Sequence, residues 1–371
     1  MKHRVIFYLF LLFAGCKSGN DNSLIYFDVS ASYPEKEIKL EEVANIEYLQ
    51  LEFDDKFLFA RAPHIITSQK IITSHDGDVL IFSRNGKPLS KFNRKGMGPG
   101  EYTYIRVLLY DETSDEIFVK LENKFLVYTS SGEFKRTIPL LDRLDDVYCQ
   151  FVNYDSETLL LHNDYNVYPN PFTFISKKDG SVCDTIITPK GKDVMLFDFY
   201  PEKGLLIFAP TYRIVNHRDG FLLTDYTIDT VYLFSHDKKL IPILERKPSI
   251  QSMNPIIYLN SFIEAGNYDF VSSVTVKNEN GSLPKKHLMR DKKTGEVYRQ
   301  KIIFNDYQGK IIYLSPEIIA NTFDSRLGLI VLDFNELREA NAANKISGKL
   351  KDIVENSEED GNDIYMLLHF K

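Results

Sequence analysis

Residues 94–102 read Arg-Lys-Gly-Met-Gly-Pro-Gly-Glu-Tyr, with Gly96, Gly98, Pro99 and Gly100 crowded between two strand-like runs. Glycine opens backbone angles that other residues avoid, and proline fixes one and removes a donor. Such a stretch encodes either a phosphate cradle or a tight structural crossing. A P-loop requires a Lys-Ser/Thr pair ahead of a helix, and a dinucleotide fingerprint requires strand, turn and helix. Here the residues that follow, 102–110, read as strand. The segment is therefore read as a crossing from the outer strand of one unit to the inner strand of the next.

Other chemistry-bearing residues are dispersed. The histidines are His3, His64, His75, His162, His217, His236, His287 and His369, and none pairs at i, i+4 or sits in a His-Glu-x-x-His arrangement. No Cys/His cluster has zinc-ligand spacing. The acidic runs Asp54-Asp55, Asp145-Asp146 and Glu358-Glu359-Asp360 look like solvated turns, and Asp76-Gly77-Asp78 is too short for a calcium loop. No catalytic residue, metal or cofactor is assigned. The residues singled out for ligand contact are Arg61, His64 and Arg106, with His162, as groups that a ring of repeats could bring to a central channel. To these we add Tyr165 and Tyr168, in an aromatic and Asn-rich loop suited to stacking on a sugar or peptide, and Tyr212 and Arg213. For each of them, solvent exposure, core packing or a plain connecting role is the commoner use of such a residue.

The elements that must position these residues recur along the chain. Apolar runs of strand length end in turns at Asn85-Gly86, Ser131-Gly132, Asp179-Gly180, Asp237-Lys238 and Thr294-Gly295. Asn-Gly, Asp-Gly and Ser-Gly between apolar runs signal hairpins, because tight hairpin turns need positive φ. Gly86, Gly132 and Gly180 are 46 and 48 residues apart, and the next two units are longer. Each turn is followed by one strand and preceded by two. A repeat of this length with about four strands per unit marks a β-propeller. Lys310-Ile311-Ile312-Tyr313-Leu314 is expected to open a sixth unit, and residues 335–355 to form one helix or two short ones within it. Residues 37–53 have strand character without a hairpin and are expected to join the last unit and close the ring, removing an exposed edge.

The start of the chain is an address. Met1-Lys2-His3-Arg4 is basic, residues 5–13 are apolar, and Ala14-Gly15-Cys16 are small. This is the plan of a secretory signal, too short for a stable membrane span. Ala14-Gly15-Cys16 resembles the bacterial lipoprotein signal, although Phe13 stands where an aliphatic residue is usual. That resemblance implies that Cys16 is the first mature residue and carries lipid. The expected organisation is residues 1–15 signal peptide, 16–23 polar tether and 24–371 propeller. Cys149 and Cys183 are expected to be unpaired, partly buried thiols. A net charge of −7 argues against a nucleic-acid partner. Tyr (22) and Phe (26) are abundant and Trp is absent, which favours sheet over helix.

The hairpin Val79-Leu80-Ile81-Phe82-Ser83-Arg84-Asn85-Gly86-Lys87, followed by Lys95-Gly96-Met97-Gly98-Pro99-Gly100-Glu101-Tyr102, resembles six-bladed β-propeller lipoproteins of Bacteroidetes, which look like NHL-type propellers. The likeness spans nearly the whole mature chain, with extra residues near 200–218 and 249–266. It brings no settled activity and no catalytic residues. The expectation is an all-β, six-bladed β-propeller with four-stranded antiparallel blades and a short helical insertion near the C-terminus. It would be lipid-anchored in the cell envelope, at the outer membrane, and bind a peptide, glycan or protein partner. The alternatives are a lyase or hydrolase with its site at the central channel, and a structural component of an outer-membrane assembly.

Overall fold

The computed structural model describes residues 24–52, 57, 65–105, 107–140, 149–163, 170–319, 324–357 and 362–371. Its sheets form a six-bladed β-propeller. Blade one holds Ile65–Ile66, Lys70–His75, Asp78–Ser83 and Pro88–Asn93, and blade two holds Val107–Asp111, Glu116–Leu121, Lys124–Thr129 and Phe134–Pro139. Blade three holds Cys149–Asn153, Thr158–Asn163, Phe172–Ser176 and Val182–Ile186, and blade four Ile214–His217, Gly220–Leu223, Thr230–Ser235 and Leu240–Lys247. Blade five holds Ile257–Ala265, Tyr268–Thr275, Lys285–Asp291 and Val297–Ile303. Among the described residues blade six has three strands, Leu327–Leu332, Ile364–Phe370 and Ala44–Gln50. The first strands of blades one, two and three approach one another, which marks them as inner strands.

The core lies between blades. Ile72, Val79, Ile81 and Phe92 of blade one pack on Leu108, Tyr110, Ile117 and Val119 of blade two. The other face of blade two sends Leu109, Phe118, Phe125 and Val127 onto Phe151, Leu159 and Leu161 of blade three. In a strand, neighbours point to opposite faces. Ile117 and Val119 therefore serve one interface and Phe118 the next, and the strand reads as a continuous apolar run because both of its faces are buried.

The outer hairpins repeat a local device. Gly86, Gly132, Gly180 and Gly295 all adopt positive φ at the turn, while in blade four Lys238 takes that role at φ 59°. The register shifts just before these turns in blades one to four, at Ile81/Phe82, Val127/Tyr128, Phe174/Ile175 and Val231/Tyr232. Such bulges increase local twist, which fans the outer strands and lets the ring close.

The N-terminal region departs from expectation in an informative way. Ala44–Gln50 closes the ring by pairing antiparallel with Ile364–Phe370. The preceding strand Glu35–Lys39 instead runs parallel along Val297–Ile303 of blade five, and Ile25–Asp28 runs parallel along Leu240–Lys247 of blade four. The chain thus laces three consecutive blades and covers two outer edges. The sixth unit also starts later than expected. Ile311–Ile312 pairs with Val297–Ile303 and so extends blade five; the short apolar run is the same length whichever sheet takes it. Two helices, Phe334–Ala342 and Gly348–Asn356, connect the first two strands of blade six. A two-stranded hairpin, Phe197–Tyr200 with Leu205–Phe208, accounts for extra residues between blades three and four. Among the described residues, no helix is long and apolar enough to cross a membrane.

Candidate functional site

The glycine segment is built around one tyrosine. Tyr102 is fully buried; its hydroxyl donates to the Gly77 carbonyl at 2.8 Å and accepts the Arg94 N–H at 3.0 Å. It thereby staples the connection between blades one and two to the hairpin tip of blade one. Backbone bonds from Tyr102 N–H to the Arg94 carbonyl and from Gly96 N–H to the Tyr102 carbonyl close the loop at 3.0 and 2.9 Å. Glu101 accepts the Gly98 N–H at 2.7 Å, and its carboxylate occupies the space a Gly96 side chain would need. Gly100 takes φ +73° with the Phe134 ring of blade two against it, and its carbonyl accepts the Tyr128 hydroxyl at 2.8 Å. The N–H groups of Arg94, Lys95, Gly96, Gly98, Glu101 and Tyr102 are all taken up within the protein, as befits a blade junction and not a phosphate cradle.

The two stapled parts enclose a cleft of roughly 670 Å³, lined by Ser74, His75, Asp76 and Gly77 of blade one and by Lys95, Thr103, Tyr104 and Ile105 of the junction. The size lies within the range of small-ligand sites. Lys95 and Asp76 pair across it at 3.2 Å, both largely exposed. Tyr104 is 43% exposed and offers an aromatic surface beside these donors and acceptors. Asn93 accepts the Lys95 N–H at 2.8 Å and donates to Asp78 at 2.7 Å, fixing the base of the lysine.

A second polar cluster joins blades three, four and five and is closed. His162 Nε2 lies 2.9 Å from Asp225 Oδ2, both buried, with the imidazole edge-on to Phe172. Burial would raise the Asp225 carboxyl, but the hydrogen bond and charge of His162 and the bonds from Thr227 outweigh it and hold the group down at about 2. Arg213 is sandwiched between Tyr226 and Tyr258, its guanidinium carbon 4.9 and 5.3 Å from the ring centres, and donates to the Tyr258 hydroxyl at 3.2 Å. Gln150 accepts the N–H groups of Arg213 and Ile214 at 2.9 and 3.0 Å. The adjoining void of about 10 Å³, lined partly by Thr224, Asp225, Arg246 and Tyr258, holds at most one water. The histidine–carboxylate pair and its neighbours therefore tie three blades together.

Of the residues singled out from sequence, Arg213 and His162 fall in this closed cluster. Tyr212 is half-buried beside it; its N–H donates to Asn260 Oδ1 at 3.2 Å and burial raises its hydroxyl pKa. Arg61, His64, Arg106, Tyr165 and Tyr168, and the Cys16 of the address, lie outside the described residues. Cys183 is a free thiol but exposed, against the expectation of partial burial, because it sits on the outer strand Val182–Ile186 of blade three; the side chain of Cys149 lies outside the described set. His75, Asp76, Lys95 and Tyr104 were missed. Their common signal is topological: the turn after the second strand and the link to the next blade emerge at the same end of a propeller. Among the described residues no group of His, Cys, Asp and Glu could hold a metal.

The family model "Domain of unknown function (DUF4934)" matches residues 24–369. The chain belongs to the DUF4934 family. No curated protein matches it. Among solved structures, this DUF4934 chain is similar to a Bacteroides fragilis protein described as exported, with 17% identity, a TM-score of 0.65, and coverage of 94% of this chain and 100% of that one. It is also similar to a DUF4221 member from Bacteroides vulgatus, with 11% identity, a TM-score of 0.42, and coverage of 89% and 97%. The first likeness carries the fold.

Proposed function

We propose that this DUF4934 chain is an exported envelope lipoprotein that binds a glycan in the cleft between blades one and two. The observation that carries this is the cleft itself: an open space with an exposed tyrosine beside a lysine, an aspartate, a histidine and two hydroxyl side chains. Aromatic faces stack on sugar rings, and dense paired donors and acceptors match hydroxyl groups. The lipid anchor on Cys16 is proposed from the signal-like residues before it, and the outer membrane and an NHL-type kinship are the finer expectations of the family resemblance. The likeness to a Bacteroides protein described as exported agrees with that address.

The test is a panel of immobilised neutral, amino and acidic oligosaccharides probed with the full chain, with Tyr104→Ala and with Lys95→Ala. Binding by the parent chain that Tyr104→Ala weakens by about tenfold, the effect of losing one stacking contact, is the expected result. A silent panel, or equal binding by the variants, refutes a glycan site here.

A further inference from the structure

Two groups in the cleft between blades one and two have fixed polarity. Lys95 Nζ and Asp76 Oδ1 lie 3.2 Å apart, on side chains 51% and 83% exposed. An ammonium only donates and an ionised carboxylate only accepts. Neither can reverse its role to suit a ligand, as the hydroxyls of Ser74 and Thr103 beside them can.

Both are placed by the backbone beneath them. Asp76 and Gly77 form the turn that joins Lys70–His75 to Asp78–Ser83, with φ values of 45° and 88°. Two consecutive residues of positive φ make the tight turn whose twist suits a hairpin, so Asp76 sits on a defined corner. Lys95 runs over that corner. A Cβ at Gly77 would stand 2.9 Å from Lys95 Cδ and 3.2 Å from Lys95 Cβ, so the missing side chain is the room that the lysine stem occupies. The Lys95 N–H donates to Asn93 at 2.8 Å, and Lys95 bridges to Tyr102, the residue that staples the loop to the same turn. The fold therefore delivers the ammonium to the carboxylate. The ion pair alone, between exposed groups, would hold them only weakly.

Lysine, arginine and carboxylate charges around the cleft balance. Lys95 offsets Asp76, and Asp78 is met by Lys91 at 3.1 Å. On the loop, Arg94 donates to the Gly132 carbonyl and Glu101 accepts the Gly98 N–H, one charge of each sign. Among the described residues these groups leave no surplus that would draw in an anion or a cation.

We propose that the cleft selects a neutral sugar with two adjacent free hydroxyl groups, one donating to Asp76 and the other accepting from Lys95, while the ring lies on Tyr104. This rests on the glycan reading of the cleft. Adjacent hydroxyls on a pyranose stand roughly a hydrogen bond's length apart, the same spacing as the two charged atoms. Because the exposed pair contributes little by itself, sharing it with two hydroxyls costs little. A sugar carboxylate on Lys95 lies against Asp76, and a sugar ammonium on Asp76 lies against Lys95. Each charged sugar meets a like charge, which is how a site rejects a near neighbour of its ligand.

The probes are immobilised oligomers of glucose, galactose and mannose, of their uronic acids, and of glucosamine, read with the full chain, Asp76→Asn and Lys95→Gln. Asparagine tolerates the left-handed backbone of position 76, and both variants should melt close to the parent. The parent is expected to favour a neutral oligomer over its charged counterparts by about fivefold, the upper range for one exposed charge. Asp76→Asn should narrow the gap to the uronic acid and Lys95→Gln the gap to glucosamine, and O-methylation of the neutral oligomer should remove its binding. A parent that prefers a charged oligomer, or variants that keep the parent's discrimination, overturn the selection and leave the glycan reading standing. Silence from every oligomer removes both.

Discussion

At the scale of residues, Tyr102 decides more than any glycine around it. One hydroxyl holds a loop amide and a hairpin carbonyl together, and those two parts are the walls of the cleft. Removing that oxygen leaves buried polar partners unmet, at a cost of about 1–3 kcal/mol. Tyr102→Phe should therefore lower the melting temperature modestly, speed amide exchange at Arg94, whose N–H the hydroxyl accepts, and weaken ligand binding without touching ligand. Unchanged exchange at that amide would show the staple to be idle. The sequence showed the glycine segment as a junction, since no lysine–hydroxyl pair or helix follows it. It did not show the cleft, because His75 and Asp76 face Lys95 and Tyr104 only after blade one has folded back on itself.

At the scale of elements, the hairpins were legible and the edges were not. Gly86, Gly132, Gly180 and Gly295 mark turns by chemistry that is local to four residues. Lys238 does the same work without glycine, and its turn was found by the apolar runs flanking it. The parallel strands Ile25–Asp28 and Glu35–Lys39 have no local partner, so only the assembled ring reveals where they pair. Likewise Ile311–Ile312 is read as a new unit by pattern and belongs to blade five by register. The lacing is energetically real if Phe27 matters. It is buried at 1% exposure and meets Tyr33 edge-on, whereas neighbouring Tyr26 is 55% exposed. Phe27→Ala should destabilise by about 3–5 kcal/mol, and Tyr26→Ala by far less. Equal melting temperatures for the two variants would remove the strap from the account of stability.

At the scale of the whole molecule, ion pairs join the blades where their apolar layers end. Lys70 of blade one pairs with Asp115 of blade two at 2.6 Å, Lys177 of blade three with Asp111 of blade two at 2.7 Å, and Arg84 of blade one with Glu47 of blade six at 3.2 Å. Two further carboxylates titrate far below their usual range. Glu116 is held at about 2, first by hydrogen bonds from Arg136 and then by Lys135, against a smaller opposing effect of burial. Glu264 is held at about 2, first by the hydrogen bond from His217, with burial opposing and Lys292 and Arg218 assisting. With Asp225, these are groups whose folded pKa lies below the unfolded value of about 4. Their contribution is full above that value and is lost as pH falls toward 2. Melting temperature should thus drop steeply between about pH 4 and pH 2, and Glu264→Gln should blunt that drop. A melting temperature that holds to pH 2 would contradict the pairing of Glu116 within blade two and of Glu264 and Asp225 between blades.

The central claim is that a glycan occupies the cleft between blades one and two. Its most direct test is hydrogen exchange of the full chain with and without the oligosaccharide that binds best on the panel. The account predicts slowed exchange confined to residues 74–78 and 95–105. Slowing at residues 213–227 and around Tyr258 instead, with none at the cleft, would move the site to the closed cluster of blades three to five and contradict it.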